Sequence, residues 1–192
     1  MNQGLGWPAS AGAAVAERAR PPTADDLARA VRAAVPEAFF VEPRVLRRVI
    51  RAHRGSSALG GAVASRAAYA IDAHRALELL DRAELGLPAD AALSGRLLLL
   101  VRPSDDELAA ADGPEILLRL WRSVFPARVR ETLATRIAAG TLPRTRLLER
   151  IEEIGQPQFD EIRAVLRGES LLADRRDNAA AYTEFAALYS DL

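Results

Sequence analysis

Five arginines on one predicted helix are spaced as an anion-binding site would require. The helix lies in the stretch 42–55, EPRVLRRVIRAHRG, with Pro43 suited to its first turn and Gly55 to its end. At about 100° per residue, the arginines share one arc of about 120° and the large apolar residues share the opposite arc. We call this arc the arginine face: Arg44, Arg47, Arg48, Arg51 and Arg54. It suits either phosphate binding or a solvated surface that meets acids from elsewhere in the fold.

The charge composition favours the solvated surface. The chain has 26 basic residues, all arginine, and 26 acidic residues, so its formal net charge is zero. No overall field therefore attracts it to nucleic acid or to an anionic membrane. A GC-rich bacterial genome would also produce arginine without lysine. The acids expected to meet the arginine face are Asp105, Asp106, Glu107, Asp112 and Glu115.

A second candidate for nucleic-acid binding is a pair of short amphipathic helices predicted within residues 147–172. The pattern resembles a helix-turn-helix, with Gln156 and Gln158 near the start of the second helix, where base edges would be contacted. Asp160 and Glu161 lie on the same turn and would repel phosphates, and any αα-hairpin has this pattern. Nucleic-acid binding through this hairpin and the arginine face is therefore the alternative hypothesis.

Metal and nucleotide chemistry have weaker support. The spacing of the two histidines, His53 and His74, and of Asp72 matches no metal-binding motif. His53 falls on the apolar side of its helix, where a hydrogen bond in the core explains it better. The glycine-rich loop 55–61 lacks the lysine of a phosphate loop and the glycine of a nucleophile elbow, so we interpret it as a hinge. We predict no cofactor, no metal and no small-molecule substrate.

The residue inventory narrows the enzymatic possibilities. With no cysteine and no lysine, the chain has no disulfide, thiolate nucleophile or lysine Schiff base. No apolar run approaches the roughly 20 residues of a membrane span, and the first 22 residues do not resemble a secretory signal. We expect a soluble, cytoplasmic protein without membrane contact and without a catalytic motif. An active site assembled from distant residues leaves no local signature and stays open.

A mainly helical fold must position these residues, because alanine and leucine dominate and β-branched residues are few. Residues 1–22 are rich in Ala, Gly and Pro and are predicted to be a flexible tail. Residues 23–192 are predicted to be a single domain of bundled or orthogonal helices. Thr23 and Asp26 have the spacing of a capping box at its start. Two short segments, 68–71 and 96–101, predict a minimal two-stranded β element, with a helix as the alternative for the second.

The strongest periodic signal predicts a long helix at about 114–139. Its apolar residues step by three and then four positions straight through Pro126, which predicts one helix kinked at that proline. We expect this stripe to be the face by which the helix packs. The stripe consists of Leu118, Trp121, Phe125, Val129, Leu133 and Ile137.

The last predicted helix, roughly 178–190, supplies the leading functional hypothesis. Its apolar residues are expected to be buried, but a contiguous exposed patch of Tyr182, Phe185 and Tyr189 would indicate a partner or dimer surface. We therefore predict a non-enzymatic helical domain for protein–protein interaction or assembly in a bacterial cytoplasmic protein. The chain is either complete or the N-terminal part of a longer one. Its partner is another protein or a second copy of itself.

Overall fold

A computed structural model describes residues 22–54, 66–169, 171–172 and 177–189, and of Arg54 only the backbone. The helices in this part of the chain are α1 (Ala24–Ala34), α2 (Pro43–Arg54), α3 (Ala73–Leu79), α4 (Asp105–Ala110), α5 (Gly113–Ala138), α6 (Arg144–Ile154), α7 (Gln156–Gly168) and α8 (Asn178–Tyr189). The strands are β1 (Ala38–Val41), β2 (Ala68–Asp72) and β3 (Arg96–Val101), and a short 3-10 helix spans Arg82–Leu85. The mainly helical fold class is confirmed. The predicted tail, except Pro22, and the predicted hinge at 55–61 lie outside the described residues.

The three strands form one sheet in the order β1-β3-β2. β3 is central, parallel to β1 and antiparallel to β2. The predicted pairing of 68–71 with 96–101 is confirmed, and the helical alternative for the second segment is wrong. β1 is an addition to the two predicted strands. Its sequence, AFFV, is continuously apolar, so it has no alternating pattern that would indicate a strand.

After Arg96, β3 is apolar from Leu97 to Val101 because both faces of the sheet are covered. Leu97 and Leu99 belong to a core cluster that includes apolar residues of α2 and α3. Leu98 and Leu100 belong to a second cluster on the other face, with residues of α1 and α5. A strand buried on both sides is expected to be continuously hydrophobic rather than alternating.

Side-chain caps fix where several helices begin. Thr23 and Asp26 form the predicted capping box of α1, and Ser104 and Glu107 form another at α4. α5 begins after its N-cap Asp112 and continues through Pro126 as one helix of 26 residues. The long helix predicted at 114–139 is therefore confirmed within one residue at each end.

α6, α7 and α8 form a third, smaller core. Leu147, Ile151, Phe159 and Ala181 are buried together there. Gly155 links α6 to α7 with a φ of 94°, a left-handed value that favours glycine. α8 also packs against α5, which connects this core to the sheet-covering layer. Among the described residues, no helix has the length and hydrophobicity needed to cross a membrane.

Candidate functional site

The arginine face lies on the surface, as the amphipathic pattern of α2 predicts. Arg44, Arg47, Arg48 and Arg51 are exposed, while the apolar residues of the opposite arc are buried. One Nη of Arg48 donates to both carboxylate oxygens of Glu84, at 2.9 and 2.7 Å, and to the carbonyl of Leu79 at 3.2 Å. Within the described chain, the acid that pairs with this face is therefore Glu84 of the 3-10 helix, and the five acids expected from the sequence are not its ion-pair partners.

The charge of Glu84 interacts with a second arginine of the arginine face besides Arg48. Partial burial alone would raise its pKa. The hydrogen bond from Arg48, the backbone N–H of Asp81 and the charges of Arg48 and Arg44 outweigh that effect and lower the pKa of Glu84. Because Glu84 stays ionised, it reduces the positive potential available to an outside anion at this end of α2.

The hairpin of α6 and α7 has the predicted helix-turn-helix pattern, but its polar groups interact with each other. The side-chain amide of Gln156 donates to Asp160 at 3.1 Å, and Arg163 lies 3.5 Å from the same carboxylate. Gln158 is exposed beside Gly155. The start of α7 thus presents Gln156 together with an acid that repels phosphates, and base reading by this hairpin stays a prediction.

The histidines lie in different settings. Nδ1 of His53 is 2.7 Å from the hydroxyl of Tyr69, and the two rings meet edge to face with centroids 5.7 Å apart. A hydrogen bond was expected for His53 and is present, but the expectation that His53 lies in the core is wrong, because the residue is exposed. His74 is exposed and lies 3.3 Å from Glu78, one helical turn further along α3. In the described part of the chain, no three or more His, Asp or Glu side chains are placed to hold a metal ion.

A shallow cleft of about 360 Å³ lies between the start of α1 and α4. Its charged lining includes Asp25, Arg102 and Asp105. Asp25 and Asp105 are in the first turns of their helices, where negative charge is favourable, and Arg102 lies 3.6 Å from Asp25. The favourable position of acids at the two helix N-termini and one exposed ion pair explain why these charged residues lie in the cleft.

The long helix α5 presents an apolar face to solvent. Leu118 is 53% exposed and Phe125 is 56% exposed, while Trp121 between them is half-buried. These three residues are called the exposed stripe below. The prediction that this stripe packs on the core is therefore wrong for Leu118 and Phe125, whereas Trp121 packs in part against the core that α5 shares with the sheet. The residues that face the sheet are Ile116, Leu120, Val124 and Ala127.

The periodic pattern identified a real apolar face of α5, but two of its residues, Leu118 and Phe125, are exposed and do not pack on the sheet. α5 has apolar residues on two sides, and hydrophobic periodicity alone cannot tell which side meets the sheet. Further along the helix the predicted stripe is partly covered: Val129, Leu133 and Ile137 are half-buried. The exposed apolar surface is thus confined to the first half of α5.

Most charged side chains along α5 are paired within the molecule. Arg119 lies 3.1 Å from Glu107, while Arg128 contacts Glu37 and Glu131 contacts Arg96. Glu115 and Arg122 differ, because both are exposed and neither has an ion-pair partner among the described residues. They are seven residues apart, about two helical turns, and lie on the same flank of the exposed stripe.

A buried ion-pair cluster holds α8 against α5. Glu184 is 6% exposed and receives hydrogen bonds from Arg66 at 2.8 Å and from Arg130 of α5 at 2.7 Å. Both arginine side chains are also largely buried. This arrangement, called the Glu184 cluster below, joins three distant parts of the chain. No local sequence pattern indicates this cluster, because Arg66 and Arg130 are 118 and 54 residues away from Glu184.

The charge of Glu184 is stabilised by its neighbours. Burial alone would raise its pKa, but the charges of Arg66 and Arg130 and their hydrogen bonds outweigh that effect. The pKa of Glu184 is therefore lower than that of an ordinary glutamate. Ionised Glu184 then offsets the cost of burying two guanidinium groups.

The aromatic residues of α8 do not form the expected buried face. The residues of α8 that are buried are Ala181, Glu184 and Ala187, because the helix turns Glu184 toward its two arginines. Tyr182 is half-buried against the third core, and Phe185 is half-buried. Tyr189 is 69% exposed, with its ring centroid 5.9 Å from that of Phe185. The exposed part of the predicted partner surface is therefore centred on Tyr189.

Comparisons with known proteins give no significant match to a protein-family model, to a curated protein or to a solved structure. Inferences about function therefore come from the residues of this chain.

Proposed function

We propose that this chain is a non-enzymatic protein-interaction or assembly domain and that its contact surface is the exposed stripe of α5. The observation that carries the proposal is the exposure of Leu118 and Phe125 on a helix whose opposite face lies in the core. A helix that covers a sheet normally has polar residues on its outer face. An apolar outer face therefore indicates a surface that another molecule covers.

The spacing of the exposed stripe supports this function. Leu118, Trp121 and Phe125 follow at intervals of three and four, which aligns them along one side of the helix. Helices that dock on other proteins through apolar anchors use the same spacing. Leu148 and Val165 are also exposed, but singly and on different helices, and single exposed apolar residues are common on protein surfaces. Leu188 and Tyr189 are exposed together on the last turn of α8, but adjacent helical residues do not share one face, so they do not form a stripe.

The proposal includes the setting expected from the sequence, a bacterial cytoplasm. Nucleic-acid binding has weaker support than protein binding. Arg48 is paired with Glu84, and the Glu84 carboxylate also acts on Arg44. Arg47 and Arg51 are the other described members of the arginine face. With Arg48 paired and the net charge of the chain zero, the described arginines of this face give little of the positive potential that phosphate binding needs.

Site-specific photocrosslinking in living cells tests the proposed function. A photoreactive phenylalanine analogue is placed at Phe125, and the matched control carries it at Val165, an equally exposed apolar position on α7. We expect discrete protein adducts from position 125 and none from position 165. Adducts from both positions, or from neither, would contradict the proposal.

A further inference from the structure

We propose that the exposed stripe binds the same stripe of a second copy of this chain, with the two α5 helices antiparallel. This inference rests on the proposed function and names the partner. The two copies are related by a two-fold axis, so each contact across the interface occurs twice.

Apolar residues of α5 match each other in this arrangement. With Leu118 and Phe125 as a positions of a heptad, Trp121 and the exposed Pro114 are d positions. Antiparallel helices place an a position of one chain against a d position of the other. Leu118 then meets Trp121 of the second copy, and Phe125 meets Pro114. One register therefore uses the whole exposed stripe and extends it to the start of the helix.

The charges beside the stripe fit the same register. Glu115 and Arg122 are both e positions, and antiparallel helices place e positions opposite each other. In the register that pairs Leu118 with Trp121, Glu115 of one copy lies opposite Arg122 of the other. The reciprocal pair forms at the other end of the interface.

These two side chains single out a second copy as the partner. They are the charged residues of α5 between positions 115 and 131 without an ion-pair partner among the described residues. Their opposite signs at a spacing of seven make the flank complementary to itself. A second copy therefore pairs both charges without any other protein. A parallel pairing of the two helices is disfavoured, because it would leave each charge without an opposite charge beside it.

Light scattering with charge-reversal variants tests this pairing. The interface is short, so we expect a monomer–dimer equilibrium with a Kd of about 10–100 µM. E115R and R122E should each weaken dimerisation about tenfold, because each creates two like-charge contacts, and the combination of both should restore it. L118R together with F125R should abolish the dimer while circular dichroism shows an unchanged fold. A monomer at all concentrations up to about 1 mM, or a double reversal weaker than either single one, would overturn the inference.

Disulfide trapping tests the register, since the natural chain has no cysteine. We expect a mixture of P114C and F125C chains to form a covalent dimer on oxidation. Neither variant alone should do so, because two copies of position 114 or of position 125 are about 16 Å apart along the pair. Efficient trapping of F125C with itself would contradict the antiparallel register.

The two proposals can fail separately. If the purified chain is a monomer while position 125 still forms adducts with a different protein in cells, the second copy is excluded and the interaction surface remains. If position 125 forms no adducts and the purified chain is a monomer, both proposals are wrong.

Discussion

α2 and α5 use charge in opposite ways. α2 turns its arginines to solvent and buries Val45, Leu46, Val49 and Ile50. α5 keeps Arg130 in the Glu184 cluster and exposes Leu118 and Phe125. Water solvates charged side chains well, so a charged surface needs no partner molecule. Water solvates apolar side chains poorly, so an apolar outer face of a helix indicates a surface that another molecule covers. This difference favours α5 over the arginine face as the site of the proposed contact surface.

The largest expected effect is a loss of stability on removing Glu184, the ion-pair partner of α5, compared with removing Glu84, the ion-pair partner of α2. Glu184→Ala leaves Arg66 and Arg130 buried without their carboxylate, which should lower the free energy of unfolding by about 3–5 kcal/mol. Glu84→Ala removes the partially exposed partner of Arg48 and should cost about 1 kcal/mol or less. Urea denaturation of both variants measures the difference. Equal losses would mean that the Glu184 cluster is not buried in solution.

Two leucines on α5, one buried and one exposed, test which face of this helix packs on the sheet. Leu120 is 7% exposed and packs on the sheet, so Leu120→Ala should cost about 2–5 kcal/mol. Leu118 lies two residues earlier and is exposed. Leu118→Ala should lower the free energy of unfolding by less than about 0.5 kcal/mol, measured at a concentration where the chain is monomeric. Thermal and urea denaturation provide both values. A larger loss at Leu118 would show that the predicted packing face was right and the structural assignment wrong.

The sequence specified α2 more completely than α5. On α2 the charged and apolar residues occupy separate arcs, so only one face can be buried. The apolar residues of that face are buried as predicted, while His53, placed on the same arc, is exposed. On α5 apolar residues lie on two sides, and the more regular set includes the exposed Leu118 and Phe125. Which face packs depends on the sheet, whose third strand the sequence did not indicate.

Contacts between distant segments could not be predicted. The capping residue Thr23 was found from the sequence because its partner, Asp26, lies three residues away. The partners in the Glu184 cluster and the pairing of Arg48 with Glu84 are set by how the helices assemble. Local periodicity contains no information about them.

Acid pH should weaken the α5–α8 contact. Because the pKa of Glu184 in the folded chain lies below the ordinary value of 4.5, its stabilisation is complete above that value and is lost as pH falls through the folded-state pKa. Glu184→Gln removes this titration, so the difference in unfolding free energy between the wild type and this variant should shrink as pH falls below about 4.5. A difference that is constant from pH 7 to pH 3 would contradict the lowered pKa.

The smallest effect is expected on the arginine face. Replacing Arg44, Arg47 and Arg51 with glutamine should leave the fluorescence anisotropy of labelled duplex DNA and single-stranded RNA essentially unchanged at low and at physiological salt. Stability should change by less than about 0.5 kcal/mol. A wild-type chain that binds tightly at low salt and loses this binding in the triple variant would transfer the functional surface from α5 to α2.

Protection of position 125 tests the central claim most directly. A trace of F125C chain is mixed with increasing wild-type chain, and the reaction rate of its thiol with DTNB is followed, with V165C as the matched control. We predict that the rate at position 125 falls as wild-type chain is added, that position 165 is unaffected, and that added L118R/F125R chain has no effect. A rate at position 125 that is independent of the wild-type concentration would contradict the pairing of α5 with a second copy.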